Sequence, residues 1–281
     1  MKSHNMFTKK IIVSALCVSM LASCTPLFGG DEDDNPYKGM TEKQLYAEAQ
    51  DQVAKEEYTA AAKRLEAMES MFPFSDKAEA AQLKLIYVYY KNKDYTSASA
   101  TAERFIRLYP RSPKVDYAYY VKGLANFQQT RGAFAQFIPL DESWRDPGTQ
   151  MEAYSDFQVL IEKFPNSQYR ANAIARMTYL RNMFAQHELN TANYYMNRKM
   201  YVAAKQRAAS LVKNYPAAPS VKEGLSVIYQ ASLALGLKND AADAAKVFEA
   251  NYHTKITQYE PPQAPSMMKK ILVKTGLKKT V

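Results

Sequence analysis

The side chains best suited to covalent or metal chemistry in this sequence are two cysteines, Cys17 and Cys24, and three histidines, His4, His187 and His253. A zinc centre needs cysteine or histidine at short, fixed spacing. Here no H-x-x-H pair occurs and neither His187 nor His253 has a cysteine partner, so no metal is expected. A Gly-rich phosphate loop and a G-x-S-x-G elbow are both missing. Carboxylates are scattered, and no spacing singles out an acid and base pair. The chemistry therefore points away from an enzyme, and no dissociable cofactor is expected.

One cysteine nevertheless has a reactive context. Lys9 and Lys10 form a basic start, Ile11 to Leu21 an apolar run, and Ala22 and Ser23 the small residues that a peptidase accepts. The run falls short of the roughly 20 apolar residues needed to span a bilayer, so it reads as a cleaved signal. Leu21-Ala22-Ser23-Cys24 resembles the bacterial lipobox. There the cysteine thiol is diacylated, the chain is cut before it and the new amine is acylated. The expected additions are thus a covalent diacylglycerol and an N-acyl chain on Cys24, which anchor the protein to a membrane. The alternative is an ordinary signal with an incidental cysteine. Several acyl chains hold firmly where one binds marginally, at about 0.8 kcal/mol per buried CH₂. Cys17 would leave with the signal, so the mature chain has no disulfide to form.

The formal charge of +9 invites a nucleic-acid reading, but its placement argues against one. Lys2, Lys9 and Lys10 lie in residues 1–23 without any acid, leaving +6 beyond them. Residues 255–281 carry six lysines against Glu260, a net +5, so the body between is near +1. A nucleic-acid binder carries its basic stripe on the folded domain, and this chain carries it on a tail. Such a tail suits anionic lipid head groups or an acidic partner.

The elements that must position any binding surface announce themselves as repeats. An aromatic-proline pair recurs at Phe72-Pro73, Tyr109-Pro110, Phe164-Pro165 and Tyr215-Pro216, with Tyr252-His253 as a degenerate fifth. Twelve residues before the second member stands alanine each time: Ala61, Ala98, Ala153, Ala204 and Ala241. Eight before stand Leu65, Ala102, Phe157, Ala208 and Ala245; five before stand Met68, Phe105, Leu160, Leu211 and Phe248. Steps of four, three and four trace one face of an α-helix. Proline has no N–H and biases its predecessor away from helix, so each helix should end at its pair. New helices should begin with Ser112-Pro113 as cap and first residue, with capping boxes at Asp76-x-x-Glu79 and Ser220-x-x-Glu223.

These features predict an all-α fold, an α-solenoid of five tetratricopeptide (TPR) helical hairpins, whose nominal period is about 34 residues. Tyr58-x-x-Ala61, Tyr95-x-x-Ala98 and Tyr201-x-x-Ala204 match the tetratricopeptide pattern at the start of the second helix. Pro73 to Pro110 spans 37 residues, but the next two intervals are 55 and 51, so repeats three and four carry insertions. The first, roughly Gln128 to Gly148, holds the only tryptophan, Trp144, and should end with Asp146 as N-cap and Pro147 at the first helical position. The second, Met177 to Lys199, reads as an extended first helix. The expected organisation is a signal over 1–23, a lipidated N-terminus and tether over 24–40, the solenoid over 41–254, and a Pro-containing linker with basic tail over 255–281.

A lipobox followed by five such repeats is similar to the BamD-type outer membrane protein assembly lipoproteins. The resemblance is carried by Tyr109-Pro-Arg-Ser-Pro-Lys-Val-Asp-Tyr-Ala-Tyr-Tyr120, Arg145-Asp-Pro147, Phe164-Pro-Asn-Ser-Gln-Tyr169, His187-Glu-Leu189, and Tyr194-Tyr195 running to Tyr201-Val-Ala-Ala204. It covers about residues 20 to 253, and departs from the family in the lost fifth proline and the lysine tail. It implies a non-enzymatic adaptor, lipid-anchored at the periplasmic face of the outer membrane of a Gram-negative bacterium. The implied partners are the periplasmic domains of a BamA-like β-barrel insertase, further assembly lipoproteins and unfolded outer-membrane proteins. Thr25, following the lipobox cysteine, is not the aspartate that retains lipoproteins in the inner membrane. The rival function is a periplasmic tetratricopeptide lipoprotein that scaffolds cell-wall or secretin assembly.

Stacked hairpins offer extended surfaces for peptides and partners. Tyr87, Tyr89, Tyr90, Tyr117, Tyr119 and Tyr120 crowd the first helices of repeats two and three, and Tyr89, Tyr117 and Tyr120 are the peptide-groove candidates. The alternative is that such rings pack repeat against repeat. The family match places Arg207 where an arginine meets the insertase, a role that a bidentate guanidinium suits; the alternative is a local acid. Trp144 either packs its loop down or anchors an interface.

Overall fold

The computed structural model describes residues 35–129, 143, 147–257 and 259. Cys24, Trp144, Arg145, Asp146 and the basic tail from Pro261 lie outside the described residues. The chain divides into two units at Thr41–Glu42. In the first, residues 35–40 form a turn closed by Asn35, whose carbonyl accepts from Lys38 N–H and whose side chain accepts from Tyr37 N–H, both at 3.0 Å.

The second unit consists, among the described residues, of ten helices. These are α1 Glu42–Ala54, α2 Tyr58–Met71, α3 Ala78–Lys91, α4 Tyr95–Leu108, α5 Val115–Gln129, α6 Gly148–Lys163, α7 Arg170–Asn197, α8 Tyr201–Asn214, α9 Val221–Ala234 and α10 Lys238–Tyr252. Each packs against the next in sequence, and first helices of neighbouring hairpins also touch, α3 on α5 and α7 on α9. This is a solenoid of five hairpins. The insertion in repeat four is the extra length of α7, which runs for 28 residues.

The repeated apolar face is the core. Ala61, Ala98, Ala153, Ala204 and Ala241 are all at most 1% exposed, and Met68, Phe105, Leu160, Leu211 and Phe248 are buried beside them. Of the intermediate set, Leu65, Ala102, Phe157 and Ala208 are buried and Ala245 only half-buried, because α10 closes the series. Small residues matter where helices cross most closely. A Cβ on Gly123 of α5 would stand 2.7 Å from a ring carbon of Phe157 on α6, and one on Gly224 of α9 equally close to Leu211 on α8.

Helix ends obey the aromatic-proline rule. Phe72, Tyr109, Phe164 and Tyr215 all leave the helical region, with ψ between 51° and 65°, while their N–H groups still reach the carbonyl four residues back. The fifth hairpin, lacking proline, stops differently: His253 adopts a left-handed conformation at φ 53°. Turns inside hairpins share another device. Glu56, Lys93, Lys199 and Gly236 take positive φ two residues before their second helices begin.

Helix starts differ from the sequence expectation. α3 begins at Ala78 after Lys77, not after an Asp76 cap, and α6 begins at Gly148 with Pro147 before it rather than inside it. Ser112 stands three residues ahead of α5, its Oγ accepting from Lys114 N–H at 3.0 Å. Ser220 does precede α9 directly, yet makes no side-chain cap. The hydroxyls are engaged by the preceding repeat instead. Ser112 donates to Glu79 at 2.5 Å, Ser167 to Asp116 at 2.7 Å and Ser220 to Gln186 at 2.7 Å. Each serine thus clips a loop to the first helix of the hairpin before it. A genuine side-chain cap occurs at Asp94, which accepts from Ser97 N–H at 3.0 Å and opens α4.

Candidate functional site

Two surfaces collect polar and aromatic side chains at the edge of the core, and the rings of the first also pack repeat against repeat. The first lies where α5 meets the start of α7. Tyr120 stacks on Tyr169 with centroids 4.6 Å apart and rings 13° from parallel, and Tyr117 meets the same ring at 5.8 Å. Tyr120 donates its hydroxyl to Asn172 Oδ1 at 3.0 Å, which also accepts from Arg176 Nε at 2.8 Å. The Arg176 guanidinium in turn sits 5.2 Å above Phe127, whose edge meets Tyr179 at 5.8 Å. Offset and edge-on rings of this kind contribute about 0.5–1.5 kcal/mol per pair beyond their burial. Burial raises the Tyr117 phenol well above its usual pKa, with neighbouring phenols adding to it. Tyr90 is also raised, first by burial, although Arg176 opposes.

Of the three tyrosines singled out in the sequence, Tyr117 and Tyr120 therefore converge, and Tyr89 does not join them. Tyr89 turns to the preceding hairpin and donates to Glu66 of α2 at 2.6 Å. Burial and that carboxylate hold its pKa high. Successive helical residues diverge by about 100°, which sends Tyr89 and Tyr90 to different neighbours. Sequence reasoning missed Tyr169, Asn172, Arg176 and Phe127. The i, i+4 spacing of Asn172 and Arg176 was readable, but their approach to Tyr120 spans 52 residues and needed the fold.

The second surface lies on the fourth hairpin. Arg207 of α8 presents Nη1 to both carboxylate oxygens of Glu188 on α7 at 3.4 Å. The arginine side chain is 48% exposed and its partner 17%. The pair is long and its arginine half-exposed, which leaves the guanidinium open to a second carboxylate. Beside Glu188, His187 Nδ1 lies 2.9 Å from the Ser143 carbonyl, and Asn190 donates to Ser143 Oγ at 2.8 Å. Those contacts seat Ser143, within the third-repeat insertion, on α7.

Among the described residues no group of three or more His, Cys, Asp or Glu side chains is placed to hold a metal. No described helix is long and apolar enough to cross a membrane.

Residues 38–247 match a family model described as YfiO, outer membrane lipoprotein. The outer membrane protein assembly factor BamD of Neisseria meningitidis serogroup A (strain Z2491) is 38% identical over 244 residues, covering 87% of this chain and 91% of that protein. The namesake from Vibrio cholerae is 36% identical over 229 residues, with 82% and 95% covered, and that from Haemophilus influenzae 31% over 250, with 89% and 95%. Among solved structures, a tetratricopeptide repeat protein from Parabacteroides merdae aligns with 75% of this chain and 66% of its own at 12% identity and a TM-score of 0.36, a loose superposition.

Proposed function

Because this chain belongs to the YfiO/BamD family of outer membrane lipoproteins, we propose that it is a factor of outer membrane protein assembly that works as a non-enzymatic adaptor. The observation that carries this reading is the match over nearly the whole of the repeat body, at 38% identity to a BamD assembly factor. In this reading Cys24 carries the diacylglycerol and N-acyl chain that hold the repeats at the periplasmic face of the outer membrane. The fourth hairpin meets the periplasmic domains of a β-barrel insertase, with Arg207 exchanging Glu188 for a carboxylate of the partner. The ring cluster at Tyr117, Tyr120 and Tyr169 offers apolar area with hydroxyls at its margin, which suits the alternating side chains of an unfolded barrel strand. Further assembly lipoproteins are additional partners.

The test is capture of insertase from solubilised envelopes. Arg207→Glu places two carboxylates together at Glu188 and reverses the charge offered to the partner, while Ala204, Ala208 and Leu211 keep the buried face. Like charges at a docking surface cost several kcal/mol, enough to lose a complex of moderate affinity. The expected outcome is loss of insertase from the variant with unchanged circular dichroism, and loss of lipid label from Cys24→Ala. Capture of cell-wall or secretin components in place of insertase by the wild type would overturn the assignment.

A further inference from the structure

Among the residues described beyond α10, two pack back onto the repeats. After the left-handed turn at His253, Ile256 and Tyr259 pack half-buried against the apolar cluster that α7, α8, α9 and α10 build around Leu189, Leu211, Leu225 and Phe248. Tyr259 donates its hydroxyl to Asn193 Oδ1 of α7 at 3.1 Å. The Tyr259 pKa is raised, chiefly by burial and further by Glu223 of α9. Tyr259 therefore reaches α7 at Asn193 and comes near Glu223 of α9, on the first helices of the last two hairpins, which touch one another. The match to the family model ends at residue 247, before this segment.

The chemistry of the contact is that of recognition rather than of simple cover. A packing cap needs only apolar area. Here an amide, Asn193, sits at 3% exposure where an aliphatic side chain would serve a core better. A buried amide costs free energy unless it is partnered, and its oxygen accepts from a tyrosine hydroxyl that arrives from outside the repeats. Three residues earlier Ile256 supplies an aliphatic anchor, and the stretch around it, residues 255–257, is not helical.

We propose that the face shared by α7 and α9 is a peptide-binding site for a non-helical segment of the pattern aliphatic-x-x-Tyr, and that residues 256–259 occupy it in cis. Asn193 reads the tyrosine hydroxyl, and the cluster at Leu189 and Leu225 takes the apolar side chains. Attachment to α10 gives the internal ligand an effective concentration on the order of millimolar, so a competing segment must bind well or be abundant to displace it. The site's test uses only this chain's own sequence.

A fluorescent peptide of residues 254–262 is titrated, by anisotropy, into the full chain and into its Ile256→Ser, Tyr259→Ala double variant. The emptied variant should bind the peptide at least tenfold more tightly than wild type. A peptide with Tyr259→Ala, or addition of Asn193→Ala to the variant, should remove that gain. A variant that is folded by circular dichroism yet binds no peptide reduces the segment to a structural cap and overturns the proposal. Should the double variant unfold, hydrogen exchange of wild type decides: excess peptide at millimolar concentration should accelerate exchange at amides 255–259, and unchanged exchange overturns the proposal equally.

Discussion

Tyr120 gives one half of its side chain to a ring and the other to an amide, so substitution can separate the two. Tyr120→Phe keeps the 4.6 Å stack on Tyr169 and deletes the bond to Asn172. With both groups partly open to water, the loss should be about 0.5–1 kcal/mol in urea unfolding, whereas Tyr120→Ala also removes the aromatic pairs and the packing of the ring on two core clusters and should cost about 2–4 kcal/mol more. Tyr117 and Tyr89 test the same surroundings through pH. Burial raises both phenols, so the fold prefers them neutral. Their contribution is complete below the ordinary pKa of about 10 and is lost as pH climbs toward the raised folded value. Tyrosinate absorbance should therefore show a late class of phenols that ionise only as helical circular dichroism collapses; smooth titration of every tyrosine near 10 would contradict their burial. At this scale the sequence displayed the residue types and little of their partnership. Tyr117 and Tyr120 were visible as a crowd on one helix, but Tyr169 lies 49 residues beyond Tyr120, in the loop before α7, and no local spacing connects them.

Helical periodicity was the most legible feature at the scale of elements, because every hairpin must bury the same face against the same neighbour. Alanine at the crossing point is buried five times over, and the aromatic-proline pair stops four helices by removing one N–H and disfavouring helical ψ. Capping was misread for a physical reason. A serine followed three residues later by glutamate looks like a local cap, but Ser220 finds Gln186 and Glu79 finds Ser112, partners 34 and 33 residues away. Tertiary competition for a hydroxyl leaves no trace in local spacing. Left-handed turns were equally hidden, since among the described residues glycine marks the position in the fifth hairpin and Glu56, Lys93 and Lys199 hold it in the first, second and fourth. A side chain in that conformation costs about 1–2 kcal/mol, offset in part by the extra freedom glycine loses on folding, about 0.5–1 kcal/mol. Lys93→Gly should thus raise stability by up to about 1 kcal/mol. Gly236→Ala, with open space around the added methyl, should lower it by a similar amount through backbone strain alone. A pair of thermal melts that moved in the same direction would exclude φ as the cause.

Charge, at the scale of the whole molecule, is distributed as if the two ends had a task that the repeats do not share. Residues 24–254 are near neutral, whereas residues 255–281 hold a net +5, and in this reading the lipid on Cys24 keeps the protein beside a phospholipid surface. A lysine close to an anionic surface contributes about 1 kcal/mol, and the Debye length of about 10 Å at 0.1 M salt falls to about 3 Å at 1 M. Lys269, Lys270, Lys274, Lys278 and Lys279 together should therefore hold a chain lacking residues 1–24 on phosphatidylglycerol vesicles at low salt. The same chain should be released by 1 M salt and should ignore vesicles of zwitterionic lipid. Deleting residues 262–281 leaves Ile256 and Tyr259 in place, so the repeats keep their C-terminal contacts while all five lysines are lost. Sedimentation with vesicles should then fall to the level of the neutral-lipid control, with the melting temperature unchanged. Equal sedimentation of both chains would move the attraction from the tail to the repeat body, where a net charge near +1 gives no electrostatic reason for it.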